Sequence, residues 1–312
     1  MKPPPPPPPL MAGGLEKTIG ESLFDTKCLA ALSEQTNQTR LSTLIRQYVE
    51  SAGTMLNDVN LPYESRPTEE RRVSVKDSKN VILVAHCATN GVEDKVTVSS
   101  GFVLNAKLRG NEDESLVLTC AHTLEEIRQS PILTRQQTGT TSNANWLGGT
   151  FIVTANGFYP VKGVVSSLPR SDLVLLSCKL PAGSARALPV SPYPAPSQSR
   201  IRAHLVAHQK SSSEAGWGAW LGGTWSKWVD GKVVGYRDFG GREAYPGTYD
   251  GLSHMYFMPE PTRGSSGGPI VDEMSGAVVG VVLGVEDGKG WGVPAETIFE
   301  MFALPGLAST PS

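Results

Sequence analysis

No run of apolar residues in this 312-residue chain approaches the ~18 that a transmembrane helix needs. Charge of one sign is also lacking: 28 Lys+Arg against 30 Asp+Glu leave a formal charge of −2. That removes both the basic excess of a nucleic-acid surface and any charged tail for polyanions. The start, Met1-Lys2 and then Pro3 to Pro9, has no apolar stretch of the secretory-signal kind. A reducing intracellular compartment, by default the cytoplasm, is the expectation, with an organellar address left open by Lys2 and the scarcity of acid up to Leu15. Only four cysteines occur, Cys28, Cys87, Cys120 and Cys178, without metal-ligand spacing. They are expected to pack as buried free thiols. His204 and His208 stand four residues apart, but they alternate with strand-type neighbours and no Glu follows the first, as a zincin requires. No metal and no other cofactor is expected.

Proline and glycine, by contrast, are plentiful, at 24 and 33 residues. Pro3 to Pro9 predict a stiff polyproline II rod, read either as a ligand for a proline-recognising partner or as a spacer. Phe24, Cys28, Ala31 and Leu32, then Leu41, Leu44, Ile45, Tyr48 and Val49, recur at helical spacing and predict two amphipathic helices parted near Gln35 to Thr39. Their apolar stripes must be buried against the rest of the chain, or against a second copy in a homo-oligomer. Residues 51–72 read as a charged linker. From Val73 the pattern turns to strands: Val73–Val75, Val81–Val84, Val96–Leu104, Phe151–Val153, Val161–Val165 and Leu173–Leu176. Four of the six tryptophans, Trp217, Trp220, Trp225 and Trp228, crowd among glycines. They predict either an aromatic platform or a hairpin whose rings fill the core or shield it from the N-terminal helices.

The chemistry concentrates at Gly264-Ser265-Ser266-Gly267-Gly268-Pro269. A serine needs a base to take its proton and N–H groups aimed at the oxyanion that forms when it attacks a carbonyl. Glycines let consecutive N–H groups point into one hollow. A base is available upstream in Thr119-Cys120-Ala121-His122, delivered by the apolar run Leu116–Leu118, and an orienting acid in Asp172, at the mouth of Leu173–Leu176. His, Asp and Ser in that order make a workable triad.

With these pieces the sequence resembles the chymotrypsin-like serine peptidases, in particular the intracellular and bacterial branch that includes the HtrA proteases. Ser99–Leu104, Thr119–His122, Asp172–Leu176, Gly264–Val271 and Gly290–Pro294 carry the resemblance, which covers roughly residues 75–305. It implies a mainly β fold of two six-stranded antiparallel barrels with an N-terminal α-helical extension. The divisions are residues 1–72 for the extension, 73–190 for the first barrel and 191–312 for the second barrel with a C-terminal helix. A serine endopeptidase is implied, cleaving protein or peptide substrates through His122, Asp172 and Ser266, with the Gly264 and Ser266 N–H groups as oxyanion hole. Leu283, Gly284 and Val285 would bind substrate as an added strand. Glu260 stands where a trypsin-like enzyme selects Lys or Arg, with a small or aliphatic P1 as the other choice. Thr123 replaces the half-cystine of secreted members, and Ser265 the Asp of zymogen activation. The chain stops too soon after the expected terminal helix for a PDZ domain. Two other readings are a catalytically silent binding or chaperone module on the same fold, and a self-processing peptidase of polyprotein type.

Overall fold

The β-branched runs become two sets of six strands in a computed structural model that describes residues 22–35, 38–137, 146–209 and 215–303. Pro3 to Pro9 lie outside the described residues. The first set is β1 (Ile82–Thr89), β2 (Asp94–Leu104), β3 (Ser115–Cys120), β4 (Leu147–Thr154), β5 (Gly157–Leu168) and β6 (Leu173–Cys178). The second is β7 (Arg200–Ala207), β8 (Trp225–Arg237), β9 (His254–Met258), β10 (Pro269–Asp272), β11 (Val278–Glu286) and β12 (Lys289–Pro294). The antiparallel order β1-β4-β5-β6-β3-β2 closes through β1 and β2, and β7-β10-β11-β12-β9-β8 closes through β7 and β8. The two barrels therefore share one topology, each closed around its girth, with the end of β11 running on past its pairing with β10.

Side-chain alternation explains why the first barrel's strands are apolar without interruption. Val117 on β3 and Val174 on β6 join a cluster with Leu41, Leu44 and Tyr48, while Leu116, Leu118, Leu173 and Leu175 turn to the opposite face. That face meets Val271, Val278, Val281, Leu283 and Val293 of the second barrel in one inter-barrel core. Val59 and Leu61 enter the same core, so residues 51–72 are not the solvated linker their charge suggests. Val73–Val75 also differs from expectation. It is coil, held by the Val73 N–H on the Gly276 carbonyl at 2.9 Å, and no strand partner faces it among the described residues.

Helices α1 (Leu23–Glu34) and α2 (Leu41–Glu50) lie close to their expected positions. Ser22 caps α1, its Oγ accepting the Asp25 N–H at 3.1 Å. Phe24, Cys28 and Leu32 bury against Leu83, Ala85, Cys87, Phe151 and Val153 on the outer face of β1 and β4. Most of both apolar stripes is thus covered by the chain itself, the first of the two alternatives, while Val49 stays 53% exposed. Two short helices, α3 (His122–Arg128) and α4 (Pro131–Gln137), follow β3. The expected terminal helix is a 3-10 segment, Ala295–Met301. All four cysteines are buried free thiols, and no helix among the described residues is long and apolar enough to cross a membrane.

Leu44 is 1% exposed between α2 and the barrel. Leu44→Ala is expected to cost about 2–5 kcal/mol, read as a lower urea midpoint. An unchanged midpoint would mean that α2 is not part of the cooperative unit.

Candidate active site

Strand β3 ends at Cys120, and the chain turns at Ala121 to start α3 with His122. Asp172 sits between a 3-10 turn, Pro169–Ser171, and β6, at φ 54°, a left-handed conformation that Asp tolerates better than most residues. From there its Oδ1 accepts the backbone N–H groups of Ala121 at 3.0 Å and His122 at 2.7 Å. Its Oδ2 meets His122 Nδ1 at 2.5 Å. One carboxylate therefore fixes both the backbone and the ring of the histidine, and leaves Nε2 for other chemistry.

The loop after Thr262 is shaped by which N–H groups it uses. The Ser265 N–H donates to the Thr262 carbonyl, that of Gly267 to Val282, and that of Gly268 to Ser265. The N–H groups of Gly264 and Ser266 donate to nothing among the described residues. The first barrel holds this loop from outside: the Ser100 N–H reaches the Ser266 carbonyl at 2.8 Å, and Ser100 Oγ donates to the Gly264 carbonyl at 2.7 Å. Gly267, at φ 83°, has no room for a side chain, since a Cβ would stand 2.2 Å from the Ser100 carbonyl oxygen. Ser265 is fully buried, its Oγ accepting the Val206 N–H at 3.0 Å and lying 3.0 Å from Thr262 Oγ1. The residue that stands in place of the zymogen Asp thus anchors the loop to β7.

Ser266 and His122 are not joined by a hydrogen bond. Ser266 Oγ donates to the Leu283 carbonyl at 2.7 Å. His122 Nε2 lies 3.6 Å from Cys120 Sγ instead. Burial works against the imidazolium, but the Cys120 sulfur and the hydrogen-bonded Asp172 carboxylate outweigh it, and the His122 pKa stands well above the ordinary 6.5.

Beyond Val282, β11 pairs only with β12, through Gly284 with Trp291 and Val285 with Gly290. Its other edge at Leu283, Gly284 and Val285 is unpaired by backbone among the described residues. Glu260 is exposed and makes no ion pair with Arg263. Cys120, Ser100 and Thr119, whose Oγ1 donates to the Ser100 carbonyl at 2.7 Å, are contributors that the sequence reading did not single out. Their signal was the run of small polar residues in otherwise apolar strands, where each buried hydroxyl needs a partner.

A folded-state pKa above the unfolded value makes protonated His122 stabilising below pH 6.5, a contribution that fades as pH rises through the folded pKa. The ring resonances of His122 are therefore expected to titrate above pH 6.5 by NMR, and Cys120→Ala to move that titration down. Titration at or below 6.5 in the unaltered protein would contradict the assignment.

The sequence profile of the trypsin-like peptidase domain matches residues 99–281, more than half of the chain. No curated protein matches the sequence significantly. Among solved structures, the chain is similar to the Rv3671c protease from M. tuberculosis in its active form, at 17% identity over 77% of this chain and 88% of that one, with a TM-score of 0.45. It is also similar to Deg5, at 18% identity over 73% and 93% of the two chains, with a TM-score of 0.43. The double barrel and the profile match together make this chain a member of the trypsin-like peptidase family, a serine-type peptidase.

Proposed function

We propose that the chain is a serine endopeptidase in which Ser266 is the nucleophile, His122 its base and Asp172 the residue that orients His122. The observation that carries this reading is the Asp172 carboxylate, bonded at once to His122 Nδ1 and to the backbone N–H of the same residue. An ordinary surface ion pair has no reason to fix both. In the reaction Ser266 Oγ attacks a peptide carbonyl, its proton passing to His122 Nε2. The carbonyl oxygen becomes an oxyanion held by the Gly264 and Ser266 N–H groups, whose lack of any other acceptor among the described residues supports that role. Collapse expels the amine, which takes the proton from Nε2 and leaves an acyl-enzyme. A water deprotonated by His122 then attacks the ester, freeing the acid and restoring Ser266. Each oxyanion donor is worth roughly 3 kcal/mol in comparable sites.

Protein substrates bind as an extended strand along Leu283, Gly284 and Val285, where backbone groups are open to pairing. Selecting a basic P1 calls for a desolvated acid, whereas Glu260 is exposed and screened by solvent. A small or aliphatic P1 is the better reading.

The bonds of Ser266 to Leu283 and of His122 to Cys120 fit a resting arrangement, and they also give the silent-module reading its one specific support. A fluorophosphonate probe separates the two. The active reading expects covalent labelling of the protein, abolished by Ser266→Ala and by His122→Ala, and peptide hydrolysis reduced about 10⁴-fold by Asp172→Asn. A folded protein that never labels sinks it.

A further inference from the structure

Outside the candidate site, a groove of about 340 Å³ opens between residues 75–81 and the second barrel. Val75, Val81, Trp220 and Trp228 give it apolar walls, and Lys76, Ser78 and Ser226 give it hydrogen-bond donors. His204, 4% exposed, also lines it, with ring centroids 4.7 Å from Trp220 and 5.0 Å from Trp228. Its Nδ1 has no hydrogen-bond partner among the described residues. Burial drives the His204 pKa down to about 3, so the ring is neutral and one of its nitrogens carries a proton to donate. Among the described residues of the lining the one carboxylate, Asp77, is paired with Arg186 at 3.5 Å. The groove therefore combines indole faces with a surplus of donors, and its volume lies near the lower bound of about 300 Å³ for ligand pockets.

We propose that the groove is the docking site for the chain's own proline run, Pro3 to Pro9. A polyproline segment has ring faces to lay on indoles and backbone carbonyls to accept hydrogen bonds, and it carries no N–H donor of its own. It is the chemical complement of this lining, and tryptophan-walled grooves are the usual receptors for such segments. Position favours the same occupant. The chain enters α1 beside the groove, with Leu23 against Gly223 and Phe24 against Gly222, in the turn closed by the Trp220 N–H on the Thr224 carbonyl at 2.8 Å. Pro9 is thirteen residues before Ser22, a span of up to about 40 Å when extended, which brings the run within reach in cis. A short tether sets an effective concentration of the order of a millimolar, so even a Kd of about 100 µM fills the groove about ten-fold over empty.

Hydrogen exchange on the full chain tests this, comparing the natural sequence with a full-length variant carrying Pro→Ser at each of positions 3 to 9. Amides of residues 75–81 and 216–228 are expected to exchange about ten-fold faster in the variant, independent of protein concentration. Equal exchange in both proteins overturns the proposal. Protection that falls on dilution, with a dimer in sedimentation, overturns the cis assignment in favour of docking on a second copy. A synthetic peptide of residues 1–15 added to the variant is expected to shift tryptophan fluorescence and restore the protection, and Trp220→Leu in that variant to weaken the effect. A peptide without effect at millimolar concentration contradicts the groove as receptor.

Discussion

The site depends on a two-point attachment between the barrels. Ser100 gives its N–H to the Ser266 carbonyl and its hydroxyl to the Gly264 carbonyl, so a strand of the first barrel sets the conformation of a loop in the second. With those two carbonyls held by Ser100, the Gly264 and Ser266 N–H groups have no acceptor among the described residues. Thr119 Oγ1 closes the arrangement by donating to the Ser100 carbonyl, and it comes from β3, which also delivers His122. Loss of the Ser100 hydroxyl would leave the half-buried Gly264 carbonyl without that donor, at a cost of up to about 1 kcal/mol concentrated on the loop. The inter-barrel leucines and valines supply the bulk of the attraction, but these directed bonds fix the register.

The N-terminal helices reach the same site from behind. Tyr48 on α2 has its pKa pushed up to about 12 by burial and by the charges of Glu125 and Asp172, which places it in the electrostatic surroundings of the candidate acid. The backbone carbonyl of Tyr48 accepts the Ser167 hydroxyl at 2.8 Å, tying α2 to β5 just before the turn that carries Asp172. On the other side the Phe24 ring of α1 meets the His208 ring edge-on, at 6.2 Å between centroids. Nε2 of His208 is in turn 3.3 Å from where a Cβ on Gly264 would stand. With every cysteine a free thiol, these helices and the segment through Val59 and Leu61 brace the barrels noncovalently.

Much of this was legible in the chain because the physical signals were local. β-branched apolar runs marked the strands, helical spacing marked α1 and α2, and glycines around a serine marked the loop. The misreadings share a cause, which is that tertiary contact overrides local composition. Charge along residues 51–72 concealed the burial of Val59 and Leu61 in the core, and the valines of Val73–Val75 pack against the core and the groove without a neighbouring strand. The tryptophan cluster divides between the expected roles. Trp228 packs on the inter-barrel core and Trp220 beside α1, yet both also wall a groove. No sequence pattern announced the contact of Cys120 with His122, because a residue two positions before a histidine faces its ring only when the strand ends in that particular turn.

That contact bears on how the proposed mechanism would begin. A thiol is a weak hydrogen-bond partner, and a neutral hydroxyl–carbonyl bond contributes only about 0.5–1.5 kcal/mol net. Exchanging both for a bond between Ser266 and His122 is within reach of modest binding energy. The exchange also has a natural trigger. Leu283 presents its carbonyl on the open edge of β11, where an incoming substrate strand would place an N–H, but that carbonyl is occupied by the Ser266 hydroxyl. A substrate amide that takes the Leu283 carbonyl would release the hydroxyl to pair with the neutral imidazole in place of its Cys120 contact. Substrate pairing and triad assembly would then be one event, which keeps the nucleophile quiet until a peptide lies alongside it.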